Sequence, residues 1–117
     1  MKLNVNISGY EGPLDLLLDL SKKQKVDIKK ISILELSEQY LNFINENLHH
    51  LKLSADYLVM ASLLAFLKSR LLLPDDQSQD TEEIEQDISN RLIHYDAIKK
   101  LSRKIFDLPK EGKNFFN

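Results

Sequence analysis

The sequence has no cysteine and no tryptophan, and only three glycines and three prolines in 117 residues. Without cysteine there is no disulfide, thiolate metal site or thiol nucleophile, a composition that suits a reducing compartment. The few glycines exclude phosphate-cradling loops. Gly9-Tyr-Glu-Gly12 lacks both the P-loop lysine and the Gly-x-Gly-x-x-Gly spacing, and reads as a turn into a helix. Net charge is only −2, so bulk electrostatics do not call for nucleic acid. Residues 2–8 alternate instead of forming the apolar centre of a signal peptide. No run reaches the roughly 20 apolar residues that a bilayer span requires, so no membrane role is expected. What remains is 43% hydrophobic and 29% charged, the make-up of one globular domain of ordinary size.

The patterns predict a mainly α fold: a small bundle of about four helices with one short N-terminal β-strand. Residues 3–7, Leu-Asn-Val-Asn-Ile, alternate with period two and read as a half-buried strand. Its partner is either the short stretch 25–30, with Val26 and Ile28, or another chain, which leaves self-association through this strand open. Gly12-Pro13 opens a first helix that fades near Lys23, since proline fits the first helical position. Ser32 and Glu35 form a Ser-x-x-Glu capping box for a second helix reaching Leu48, with Ile31 placed to staple on Leu36. Its apolar residues, Tyr40, Leu41, Phe43 and Ile44 among them, cover about half the circumference, more than one helix contact needs.

The third helix, over residues 57–73, is apolar on every side and stopped by Pro74, with Ser54 its expected cap. A domain this small is expected to have trouble hiding such a helix alone, so a partner is expected to share it. Residues 75–87 carry seven acids and no base. The division expected is a helical domain over 1–74, an acidic linker over 75–81, a long helix over 82–108 and a patternless tail over 109–117. In the long helix Ile84, Ile88, Leu92, Tyr95, Ile98, Leu101, Ile105 and Leu108 step by threes and fours, a narrow seam of coiled-coil type.

Chemistry is harder to find. His49 and His50 are adjacent, so they do not face one another on a helix, and His94 flanks the seam; a metal site wants i,i+4 spacing and further donors. No nucleophile, acid–base pair, metal or cofactor motif is legible, and no enzymatic role is expected. Lys22, Lys23, Lys25, Lys29 and Lys30 form one basic cluster, and Lys99, Lys100, Arg103, Lys104, Lys110 and Lys113 another. Both read first as solvated charge, and a free-standing nucleic-acid-binding helical domain is the alternative that they support.

Four blocks resemble a known family. Tyr10-Glu-Gly-Pro-Leu-Asp-Leu-Leu-Leu18 is similar to the signature that opens the segregation and condensation protein A (ScpA) kleisins. Val26-Asp-Ile28 with Ser37-Glu-Gln-Tyr-Leu41 looks like their next block. Asp56-Tyr-Leu-Val-Met-Ala61, continuing to Leu67-Lys-Ser-Arg-Leu-Leu-Leu-Pro74, resembles the third, and Arg91-Leu-Ile-His-Tyr95 the piece after the acidic linker. The order holds from residue 10 to about residue 105. Ser32 stands where the family often has proline. Such kleisins are about twice this length and end in a winged-helix domain, so an N-terminal portion of a longer protein is expected.

The resemblance implies a non-enzymatic subunit of a bacterial SMC complex, cytoplasmic and nucleoid-associated, serving chromosome segregation and condensation in cell division. It implies docking of the N-terminal helical domain on the coiled-coil neck of an SMC ATPase and bridging of two SMC subunits. A ScpB dimer is the second implied partner, and DNA is reached through the complex. The SMC-facing surface is expected on the second and third helices at Tyr40, Leu41, Ile44, Ala61, Leu64, Ala65 and Lys68. The ScpB side is expected at Leu92, Tyr95 and Leu101.

Overall fold

A computed structural model describes residues 9–48, 54–73 and 79–107. Four α-helices make up the fold: α1 (Pro13–Ser21), α2 (Ile33–Asn47), α3 (Ala55–Leu71) and α4 (Gln79–Phe106). The expected strand over residues 3–7 lies outside the described residues, as do His49, His50 and the tail. Its internal candidate partner is not a strand. Residues 22–24 and 28–30 are 3-10 turns, and Lys25 between them takes the left-handed conformation with φ 59°. There is no strand among the described residues.

Each helix starts where its first-turn chemistry permits. Proline begins α1, and the Glu11 N–H donates to the Asp15 carboxylate at 3.0 Å, occupying a donor that precedes the helix. The Ser32 hydroxyl caps α2 by accepting from the Glu35 N–H at 3.1 Å. The return half of the expected capping box comes from elsewhere. Gln24 receives the Ser32 N–H at 2.9 Å and donates back to its carbonyl at 3.0 Å, which fixes the Lys-rich turn against the start of α2. Ser54 precedes α3 as expected, but its hydroxyl makes no capping bond. α4 begins at Gln79, earlier than the expected 82, because Thr81 is buried and is carried into the packed face.

One core joins all four helices. Leu16, Leu17 and Leu20 of α1 meet Leu36, Tyr40 and Ile44 of α2, Tyr57, Leu64 and Leu67 of α3, and Ile88 and Leu92 of α4. α2 and α3 pack most extensively against each other. The buried Tyr40 hydroxyl donates to the Tyr57 carbonyl at 2.9 Å, tying α2 to the first turn of α3. Its environment raises the Tyr40 phenol well above the usual value, by burial first and then by the neighbouring Tyr57.

Candidate partner-docking surfaces

α3 carries two faces. On the inner one Tyr57, Leu64 and Leu67 are buried and Met60, Ala61, Leu63 and Leu71 pack against the core. On the outer one Leu58, Val59, Phe66, Leu72 and Leu73 are 46%, 67%, 42%, 56% and 50% exposed. At about 100° per residue these outer side chains, with Ser62, Ala65 and Ser69, occupy an arc of about 140°. Their order has a finer regularity. Leu58, Ser62, Ala65, Ser69 and Leu72 alternate steps of four and three, the spacing of a coiled-coil seam. Val59, Phe66 and Leu73 run beside it at intervals of seven.

The centre of that seam is small. Ser62, Ala65 and Ser69 leave a shallow channel between the larger ends. The Ser69 hydroxyl donates to the Phe66 carbonyl at 2.8 Å, so it needs no water when covered. The Arg70 guanidinium lies 5.1 Å from the Phe66 ring centroid, bordering the face with charge. A cleft of about 470 Å³ adjoins it, lined by Pro13, Leu14, Val59, Met60, Leu63 and Ile88 and edged by Asp56, Asp87 and Arg91.

α4 also changes character along its length. Ile88 and Leu92 are buried and Ile84 and Tyr95 pack on the core, whereas Ile98, Leu101, Ile105 and Phe106 are exposed. The expected single seam therefore splits in two, and the cause is in its spacing. From Leu92 to Leu101 the row advances by threes, and each three-residue step falls about 60° short of a full turn. Three such steps carry the apolar row halfway round the helix. Leu101 faces away from the bundle that Leu92 is part of.

At the crossover a polar cluster pins α4 to α1. Lys99 Nζ donates to the Asp15 carboxylate at 2.7 Å, and the Tyr95 hydroxyl donates to Glu11 at 3.2 Å. The Tyr10 hydroxyl donates to Asp19, and its ring meets Phe43 edge-on at 6.1 Å. Burial pulls the Asp15 carboxyl upward, but the hydrogen bonds from Lys99 and from the Glu11 N–H outweigh it and hold the group below its ordinary value. Tyr10 and Tyr95 are both pushed up to about 12, chiefly by burial, with a carboxylate beside each hydroxyl adding to it.

The residues expected to face partners divide accordingly. Tyr40, Ile44 and Leu64 are core, with no surface to offer in this structure, because α2 and α3 bury them against each other. Leu41, Ala61 and Lys68 are half-buried at the edge of α3 or on α2, and Ala65 is exposed within the outer seam. Of the α4 set, Leu92 is core, Tyr95 is half-buried and bonded to Glu11, and only Leu101 is free-standing. Sequence reasoning missed Leu58, Val59, Phe66, Ile98 and Ile105. The four–three spacing of Leu58, Ser62, Ala65, Ser69 and Leu72 was the signal that could have found the first of these.

Among the described residues no group of His, Asp and Glu could hold a metal ion, and no helix is long and apolar enough to cross a membrane. His94 is an exposed side chain.

Comparison with known proteins adds a family. The family model for segregation and condensation protein ScpA matches residues 20–113. A segregation and condensation protein A of Coxiella burnetii is 43% identical over 119 residues, covering 97% of this chain and 44% of the relative. That of Streptococcus pyogenes serotype M1 is 42% identical over 105 residues, 88% of this chain and 45% of the relative. That of Macrococcus caseolyticus is 38% identical over 120 residues, 96% of this chain and 48% of the relative. The chain spans under half the length of these curated relatives.

Proposed function

The chain belongs to the segregation and condensation protein A (ScpA) family of kleisins, and from that premise we propose that it is a non-enzymatic adaptor that docks on the coiled-coil neck of an SMC ATPase. The cellular outcome is chromosome segregation and condensation, with the SMC subunit supplying ATP hydrolysis. One observation carries the docking: the outer face of α3 has the spacing of a coiled-coil seam, and no helix among the described residues covers it. Two helices of an SMC neck laid on it would complete a bundle. The small centre at Ser62, Ala65 and Ser69 would admit a partner backbone closely, Leu58 and Leu72 would anchor the ends, and Phe66 would anchor the flank. A 17-residue helix is about 26 Å long. A stable interface hides about 800 Å² per partner, so flanking residues must join it, and the half-buried Leu41, Ala61 and Lys68 are candidates at its margin.

The C-terminal half of α4 is the proposed ScpB side. Leu101 keeps that assignment; Ile98 and Ile105 join it, and buried Leu92 acts only by holding α4 in place. In this reading residues 1–74 and the inner half of α4, which begins at Gln79, are the SMC-docking unit, the short stretch before Gln79 their connection, and the chain from Ile98 onward the lead into the second partner. Bridging two SMC subunits requires the portion of the relatives that this chain does not span.

The test is co-purification with an SMC neck fragment. Val59→Lys with Phe66→Glu is expected to abolish capture while helicity and melting temperature stay unchanged. Capture by that variant at the parent level rules out the α3 face as the docking surface.

A further inference from the structure

Two basic clusters far apart in the sequence become one surface in the fold. Lys22 and Lys100 line the same cleft of about 340 Å³, formed by the end of α1, the Lys-rich turns and α4. Lys22 also lines a neighbouring cleft with Lys99 and Arg103. Lys22 and the basic end of α4 thus stand side by side, although more than 60 residues separate them, whereas Lys29 shares a different cleft with Glu82 and Glu85 near the start of α4. On α4, Lys100, Arg103 and Lys104 share an arc of about 100°, and Ile98, Leu101 and Ile105 lie outside it.

The four acids that line these two clefts are already engaged. Asp15 holds Lys99, Asp96 holds Lys100 at 3.0 Å, Asp19 accepts from Tyr10, and Asp27 accepts from the Lys29 N–H at 2.9 Å. Among the described residues no carboxylate lies within ion-pair distance of the five turn lysines, Arg103 or Lys104, although Lys22 acts on Asp15 and Lys29 shares a cleft with Glu82 and Glu85. Lys25 adds an independent observation. It sits at φ 59°, where glycine or asparagine is the cheaper choice, so a lysine there carries a backbone cost. The turn around it is held fixed by the paired Gln24–Ser32 hydrogen bonds.

We propose that this joined surface, the Lys-rich turns with Arg103 and Lys104 of α4, contacts the phosphate backbone of double-stranded DNA directly and without regard to sequence. Cations on a fixed turn and an adjoining helix suit the regular phosphate spacing of a duplex. Base-specific reading is not built in, since no helix presents a set of side chains suited to a groove. Single strands are a poorer match because the one aromatic in the two clefts, Tyr10, is engaged by Asp19 and Phe43. The outer residues of α3 line neither cleft, so the proposal stands apart from docking on a coiled coil.

The experiment is a salt titration of the whole chain against a short random-sequence duplex, followed by anisotropy. Lys22→Gln, Lys25→Gln and Arg103→Gln together are expected to lower affinity at least tenfold at about 0.1 M salt and to flatten the log–log salt slope by about 3. Arg91→Gln, a cation outside the patch, is expected to leave the slope as it is. Lys25→Gly relieves the left-handed backbone, so it is expected to keep the melting temperature while weakening binding, which separates contact from folding. An unchanged slope in the triple variant overturns the proposal. So does binding confined to phosphatidylglycerol vesicles, or no salt-dependent duplex binding by the parent chain.

Discussion

Leu64 and Phe66 sit two positions apart on α3 and meet opposite environments, the first 0% and the second 42% exposed. Leu64→Ala is therefore expected to cost about 2–5 kcal/mol in urea unfolding, because the cavity stays where the side chain was. Phe66→Ala is expected to stay within about 0.5 kcal/mol of the parent, and to show its effect only on binding. Tyr40→Phe removes the hydroxyl that donates to the Tyr57 carbonyl; a loss of about 1 kcal/mol is expected in the same measurement. These differences were the least legible part of the sequence. A helix apolar all round divides into arcs on projection, but nothing local says which arc turns inward. That choice is made by packing against α2, whose Tyr40 lies seventeen residues from Tyr57 in the sequence, and only the fold supplies it. Leu64 accordingly looked like a partner contact and is a core residue.

Elements were easier to read than their orientations. Pro13 and Ser32 begin their helices for reasons confined to a few residues, and both starts stand where the pattern puts them. α4 was legible as a helix but not as two faces, because the drift of its three-residue steps matters only when a bundle fixes one end. The Asp15–Lys99 pair and the Tyr95–Glu11 bond sit at that junction, and their contribution has a defined pH window. Asp15 is depressed below its ordinary 3.8 when folded, so its contribution is complete above that value and is lost as pH falls through the lower folded one. Lys99→Met is expected to lower stability at pH 7 and to bring the parent and variant together in strong acid, as urea unfolding at each pH measures. Tyr10 and Tyr95 act at the other extreme. Their pKa is raised when folded, so their contribution is complete below the ordinary 10.0 and disappears as pH rises through about 12. The rise of phenolate absorbance in alkaline titration is expected to lag behind that of the unfolded chain.

Among the described residues, apart from Val26 and Leu48, the exposed large apolar side chains fall in two places that do not share an element: the outer face of α3 and the far half of α4. The helical projection of residues 57–73 foretold an excess, but not the division along α4, where one core takes Leu92 and leaves Leu101 out. Two partners held on separate faces need not compete. If α3 takes a coiled coil and the end of α4 takes a second protein, Phe66→Glu is expected to abolish the first interaction and leave the second. Leu101→Glu is expected to do the reverse, and neither change touches a buried side chain, so melting temperature is expected to hold in both. Calorimetric titration with purified SMC neck and ScpB, each in the presence and absence of the other, reads the coupling directly. Equal affinities in both orders mean independent faces. An affinity for one partner that falls when the other is bound means that the faces overlap, or that docking on α3 shifts α4 through the Asp15–Lys99 junction. Lys99→Met distinguishes these, since it leaves an overlap intact and uncouples a shift transmitted through that ion pair.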